Sequence, residues 1–290
     1  MTWTVALKLG RVSNLPTVWT NMLAALVLSD GGLADAKVLP LLIALSLFYI
    51  GGMYLNDAFD AEIDARERPE RPIPSDQVSR ATVFGLGFAM LGGGLAILVW
   101  IGTRFGSGTG PWPAVGGLGL AAAIVFYDWF HKANPLSPVV MGLCRVLVYV
   151  TAGLCVVVPL PEPLLIGAGL LLSYLIGLTY LAKQENLGEV KNLWPLLFLA
   201  APAVAGGIYT LERPTTGVFW LAFVAWTGVA LWFVKRRKPG DIPHAVVSLI
   251  AGISLLDAVL IAGHGAPGLA IFAVAGCGLT LVFQRFIPGT

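Results

Sequence analysis

The stretch Tyr54-Leu55-Asn56-Asp57-Ala58-Phe59-Asp60-Ala61-Glu62-Ile63-Asp64 closes an apolar run that begins at Val38 and carries no charge before Asp57. A run of roughly twenty apolar residues is the length a helix needs to cross a hydrocarbon layer of about 30 Å. The abrupt change from apolar to acidic therefore sets the carboxylates at a membrane face. At about 100° per residue, Asn56, Asp57, Asp60 and Asp64 fall within an arc of roughly 100°, and Glu62 points to the opposite side. One helix face thus gathers three negative charges that repel one another. Such a face calls for a divalent cation or a strongly basic partner to offset the repulsion. Oxygen ligands of this kind suit Mg2+.

The rest of the chain repeats the apolar theme. Its 290 residues are 57% hydrophobic and only 12% charged, and its mean hydropathy is +0.82. That composition lacks the polar surface a soluble protein of this size requires and marks a polytopic membrane protein. Apolar segments run at about 15–29, 38–56, 80–102, 114–130, 137–159, 163–183, 193–210, 216–234, 244–262 and 268–286. None alternates with the period of a barrel strand, so the fold class is all-α: a bundle of nine to ten transmembrane helices in one domain, 1–290.

Alternating ten spans leaves Lys37, Arg104 and Arg213 on one side, Arg145 inside a span, and every other Lys and Arg on the second side. The basic side is expected to be cytoplasmic, with both termini there and a bacterial cytoplasmic membrane as the location. The net charge of +2 follows from this insertion bias, and no nucleic-acid partner is expected. Lys8 and Arg11 precede the first span without a small-residue cleavage pattern, so no removable signal peptide is expected. Cys144, Cys155 and Cys277 all lie in apolar segments and read as packing residues.

Polar chemistry concentrates in the connections of the basic side. Asp60 and Asp64 are echoed 125 positions later by Glu185 and Glu189, again spaced i, i+4 at the end of a span. Two such pairs in two halves would face each other across the mouth of a bundle. The loop from Glu67 to Ser75 alternates bases with prolines, so Arg68 and Arg71 are candidates to grip phosphate oxygens as planar forks. Arg66 and Arg80 read as ordinary positive-side residues. Arg145 sits inside a span, where a charge needs a partner such as Asp128, a wet cavity or a bound anion. Asp257, also mid-span, reads equally as a packing hydrogen bond or a functional group. Tyr127-Asp128-Trp129-Phe130-His131-Lys132 sets an aromatic, a carboxylate and two bases together at a boundary, where Lys132 can reach a phosphate and Tyr127 can face a developing cation.

These motifs resemble those of the UbiA family of membrane prenyltransferases. The resemblance rests on Asn56-Asp57 with Asp60 and Asp64, on Arg71-Pro72-Ile73-Pro74-Ser75, on the Tyr127 to Lys132 segment and on the second acidic loop. The opening Arg11-Val12-Ser13-Asn14 is similar to that family's first span, where an Asn borders the active cavity. The resemblance implies a helical bundle with a central cavity opening to the cytoplasmic side. It implies Mg2+ held by Asn56, Asp60, Asp64, Glu185 and Glu189, a prenyl diphosphate donor, and a lipophilic, usually aromatic acceptor reached from membrane lipid. Asp57, Asp60, Asp64, Tyr127 and Lys132 would carry the chemistry. Asn14, Asn56, Arg68, Arg71, Arg145 and Lys183 would bind substrate. Ionisation of the donor would leave an allylic cation shielded by aromatic side chains. Two departures stand out: the second motif has Glu185 and Glu189 where the family has Asp, and His131 occupies the position of the usual Lys. With a tenth span, these features look like a divergent branch such as the EboC-like proteins.

Three rivals stand against this reading. A CDP-alcohol phosphotransferase would require an Asp-Gly string followed by Ala-Arg, which does not occur. A transporter would use Arg145 and Asp257 for ion coupling. A non-catalytic binder of prenyl lipids would tolerate the altered second motif.

Overall fold

The structure, a computed structural model, describes residues 1–33, 35–105, 108–131, 134–184, 194–287 and 289. Its helices are α1 (Trp3–Leu9), α2 (Leu15–Leu28), α3 (Val38–Glu67), α4 (Arg80–Arg104), α5 (Trp112–Phe130), α6 (Ser137–Leu154), α7 (Glu162–Gln184), α8 (Ala200–Glu212), α9 (Gly217–Arg236), α10 (Asp241–Gly263) and α11 (Pro267–Gln284). Local sequence sets several boundaries. The Ser79 side chain accepts from the Thr82 amide and caps α4, and Pro113, Pro138 and Pro267 stand in the first turns of α5, α6 and α11. Arg237 takes a left-handed conformation after α9, and Gly240 takes another before α10.

Among the described residues, nine helical stretches are long and apolar enough to cross a membrane, the seventh of the ten expected spans being a 3-10 turn from Trp194 continued by α8. The first expected span departs from the others. Helix α2 has 14 residues, so at 1.5 Å per residue it is about 21 Å long, short of the hydrocarbon thickness. It is instead enclosed by protein: it packs on α3, α6, α10 and α11, and most of its side chains are buried.

Helix α3 has 30 residues and is therefore about 45 Å long. It outreaches the bilayer, and its final turns carry Asn56, Asp57, Asp60 and Asp64 beyond the apolar layer. All four are buried, because α2, α4 and α5 flank the helix. Helices α3 and α4 meet at glycines. A β-carbon added at Gly51 would stand 2.9 Å from the Gly87 carbonyl oxygen, and one at Gly87 would stand 2.8 Å from Leu55. Small residues of this kind let spanning helices approach closely where lipid supplies no hydrophobic drive. Helix α10 forms the buried centre of the other half, packed by α2, α7, α9 and α11.

Candidate functional site

The acidic end of α3 forms one wall of a cavity of about 270 Å³, whose other walls come from α5, α6, α7, α10 and the loop after α3. The loop folds back through turns, with the Arg71 amide donating to the Arg68 carbonyl and the Ser75 amide to the Arg71 carbonyl. This aims the Arg71 guanidinium at α3, where Nη1 donates to Asp64 Oδ2 at 2.7 Å and to Asp57 Oδ1 at 3.4 Å. From the other flank, Arg11 Nη2 donates to Asp57 Oδ1 at 3.0 Å and to Asn56 Oδ1 at 3.2 Å. Burial opposes the charge on Arg11, but Asp57 more than compensates and holds the guanidinium above its ordinary range. Arg11 adopts a left-handed backbone, φ 40°, and its carbonyl accepts from the Tyr49 hydroxyl at 3.2 Å. Of the two answers that charge repulsion leaves open, a basic partner is the one these contacts supply.

The remaining polar groups complete the wall. Asn56 Nδ2 donates to Asp128 Oδ1 at 3.1 Å, and the second Asp128 oxygen is buried with no hydrogen-bond partner among the described residues. His131 Nε2 lies 3.5 Å from Asp60 Oδ2, and its ring stacks on Tyr127 at 4.9 Å. Lys183 Nζ donates to Ser137 Oγ at 2.6 Å and to the Asn134 carbonyl at 3.1 Å. Asn14 lines the cavity too, bonded to the Gly289 carbonyl and to Gln284. Glu62, by contrast, faces away and pairs with Arg80, which also donates to the Ala58 carbonyl and sits over Phe84.

Next to the cavity lies an apolar pocket lined by Val18, Phe48, Leu120, Ile124, Met141 and Val148. Tyr49, Met53, Tyr127, Met141 and Arg145 line both spaces. Arg145 therefore stands at their junction. Its partner is not Asp128 but Asn21, whose carbonyl oxygen accepts from Nη1 at 3.1 Å, and the guanidinium also rests over the Tyr49 ring at 5.4 Å. The Asn21 amide donates to both oxygens of Asp257, at 2.9 and 3.2 Å, and Asp257 also accepts from the Tyr149 hydroxyl.

The structure thus brings Asn14, Asn56, Asp60, Asp64, Arg68, Arg71, Tyr127, Arg145 and Lys183 into the wall of the polar cavity, with Asp57 bonded to Arg11 and Arg71 beside it. Lys132, Glu185 and Glu189 lie outside the described residues. Among the described residues, no three His, Cys, Asp or Glu side chains converge to hold a metal ion. The donor chemistry still fits a hard cation: the face is all oxygen, and the buried Asp128 oxygen lacks a donor. Sequence reading assigned no site role to Arg11 or Asn21, because each acquires its role only from partners on distant elements.

Comparison with known proteins bears on the whole arrangement. A profile of the UbiA prenyltransferase family matches residues 17–246. Digeranylgeranylglyceryl phosphate synthase of Methanopyrus kandleri is 36% identical over 95 residues, 32% of this chain and 35% of that protein. Protoheme IX farnesyltransferase of Korarchaeum cryptofilum is 35% identical over 119 residues, 39% of this chain and 37% of that protein. The chain thus aligns with little more than a third of each of these curated relatives. A solved structure from work on digeranylgeranylglyceryl phosphate synthase in membranes superposes with a TM-score of 0.64 at 17% identity, covering 90% of this chain and 97% of the other, which is a likeness of fold. With a family match across most of its length and the family's fold around the acidic helix, the chain belongs to the UbiA prenyltransferase family.

Proposed function

We propose that this protein transfers an isoprenyl group from a prenyl diphosphate to a lipophilic acceptor within the membrane. The observation that carries the reading is the adjacency of two spaces that share a wall, an acidic and basic cavity and an apolar pocket between α2, α3, α5 and α6. A prenyl diphosphate has the same polarity: a highly charged head on an apolar tail. Arg68, Arg71, His131 and Lys183 line the end that would meet the head, and guanidinium forks match phosphate oxygens. Phe48, Leu120 and Ile124 line the end that would meet the tail.

Asn56, Asp60 and Asp64 would hold Mg2+, together with Glu185 and Glu189 of the second acidic pair, and the ion would offset the charge of the departing diphosphate. The chain's own part is to position the donor, to keep water away and to face the allylic cation with Tyr49 and Tyr127, which line the junction. Asp57 would hold Arg11 and Arg71 in place through the bonds described above. Lys132 is proposed to reach the diphosphate. The acceptor is proposed to be a lipophilic molecule, of the aromatic kind that the sequence resemblance implies, that enters from the lipid. The basic end is proposed to be cytoplasmic.

The test incubates the purified protein in lipid nanodiscs with radiolabelled prenyl diphosphates, with and without Mg2+, across an acceptor panel, beside Asp60→Asn. Diphosphate release that needs Mg2+ and is lost in the variant is the expected result. Binding without release under every acceptor would leave a non-catalytic lipid binder, and no binding would overturn the proposal.

A further inference from the structure

We infer that the groove between α9 and the turn leading into α8 is a binding site for an anionic membrane phospholipid, with Lys235 and Arg237 holding the phosphate of its headgroup. The site shares no lining residue with the polar cavity or the apolar pocket, and it stands whether or not the chain transfers a prenyl group. Three observations lead to it.

First, the groove has the size and polarity of a lipid site. Its volume is about 840 Å³, within the range of about 300–1,000 Å³ usual for small-molecule sites. On α9, Val224, Gly228, Leu231 and Lys235 line it. They are spaced four, three and four positions apart, so they form one stripe of the helix about 16 Å long. Leu197 and Leu199 of the turn face that stripe across the groove. The floor is open at Gly228, where an added β-carbon would meet nothing within 4 Å.

Second, the two basic groups at the end of the groove are unspent. The side chains of Lys235 and Arg237 are exposed and make no hydrogen bond or ion pair among the described residues. Arg236 between them behaves differently: its Nε donates to Asp241 Oδ2 at 2.9 Å, Nη2 donates to the other oxygen, and the guanidinium rests over the Trp232 ring at 4.4 Å. Residues two apart on a helix point about 200° from each other. Helix α9 ends in the left-handed conformation of Arg237, φ 57°, and that break lets Arg237 line the same groove as Lys235.

Third, both groups lie at the end of the bundle where the other basic residues gather, which is the level of lipid headgroups. Basic pockets between spanning helices bind anionic headgroups there, and an ammonium beside a guanidinium fork suits phosphate oxygens. An apolar helix of another subunit would fill the trough and leave both cations unpaired at its end. An anionic phospholipid satisfies trough and cations together.

The test is native mass spectrometry of the full-length protein in detergent, titrated with phosphatidylglycerol and with phosphatidylcholine of the same acyl chains. The first phosphatidylglycerol is expected to bind about tenfold more tightly than the first phosphatidylcholine, as two cations at one headgroup imply, and excess inorganic phosphate is expected to leave it bound. Lys235→Gln combined with Arg237→Gln is expected to bring the two lipids within about twofold of each other. Lys238→Gln, close in sequence but outside the groove, is expected to keep the preference. Gly228→Phe fills the open floor and is expected to abolish the first phosphatidylglycerol binding event while the unfolding midpoint stays near wild type. A wild type without the preference, a preference that survives the double variant, an equal loss in Lys238→Gln, release by inorganic phosphate, or unchanged binding in Gly228→Phe would each overturn the inference. A dimer that forms without bound lipid and comes apart in Gly228→Phe would assign the groove to a second copy and likewise overturn it. Should Gly228→Phe not fold, the wild type and the surface variants still decide.

Discussion

Arg71 and Arg80 stand at the two ends of one loop, and the structure separates them by what each guanidinium touches. Arg71 turns inward to Asp57 and Asp64 beside the cavity, whereas Arg80 spends its bonds on the Ala58 carbonyl and Glu62 at the outer surface of α3. Arg71→Met is therefore expected to weaken prenyl diphosphate binding by more than tenfold, and Arg80→Met by less than twofold, in equilibrium binding with a radiolabelled donor. Equal losses in the two variants would show that loop charge, and not this geometry, governs binding. A charge-assisted contact worth about 1.5–3 kcal/mol supports the size of the first effect. At the same scale, Asn21→Leu removes the amide that joins Arg145 to Asp257. It is expected to cost about 2 kcal/mol of stability, because two buried polar side chains lose a shared hydrogen-bond partner. Thermal unfolding in detergent checks this, and an unchanged midpoint would contradict it. The carboxylates of α3 were legible in the sequence because their 100° arc is a local property. The role of Arg11 was not, since its partners lie 45 and 46 positions away, and a lone amide such as Asn21 leaves no pattern in an apolar run.

Helix α3 carries the acids, so its seat against α4 decides where they stand. That seat depends on contact between backbones at Gly51 and Gly87. A side chain at Gly51 would press on a carbonyl oxygen at 2.9 Å and on the Met90 β-carbon at 3.1 Å, and neither is the free end of a flexible group. Gly51→Leu is expected to lower stability by about 1–3 kcal/mol as an overpacking change and to weaken donor binding as α3 shifts. Gly92→Leu, on the same pair of helices, has open space around its β-carbon position and is expected to leave both properties near wild type. Thermal unfolding and donor binding on the two variants test the pair, and similar losses in both would refute the close-contact account. Element positions were readable from sequence because apolar runs and proline-marked starts are local signals. The closeness of α3 and α4 was not, because a glycine in a helix announces a contact only once its neighbour is known.

For the whole molecule, the distribution of charge ties the bundle to the membrane. Arg66, Arg68 and Arg71 lie at the end of α3 and in the loop beyond it, Lys183 ends α7, and Lys235 and Arg236 end α9, so the basic residues gather at the end of the bundle that holds the polar mouth. Sequence alternation anticipated this asymmetry while counting ten spans. The nine long apolar stretches among the described residues fall within the nine to ten expected, and the one in question is α2, which is apolar yet short and packed by α3, α6, α10 and α11; hydropathy does not tell a buried apolar helix from a lipid-facing one. If insertion follows the positive-inside bias, the mouth faces the cytoplasm and draws its charged donor from there. Single cysteines decide the orientation: Ser75 lies exposed in the loop after α3, and Glu212 lies exposed at the far end of α8. The native cysteines lie within α6 and α11 or directly after α6 and are buried or half-buried, which keeps the background from a membrane-impermeant maleimide low. In intact cells, Glu212→Cys is expected to label at once and Ser75→Cys only after permeabilisation. The reverse order would place the diphosphate end of the cavity outside the cell, away from the soluble prenyl diphosphate pool, and would overturn the proposed route of the donor while leaving the fold intact.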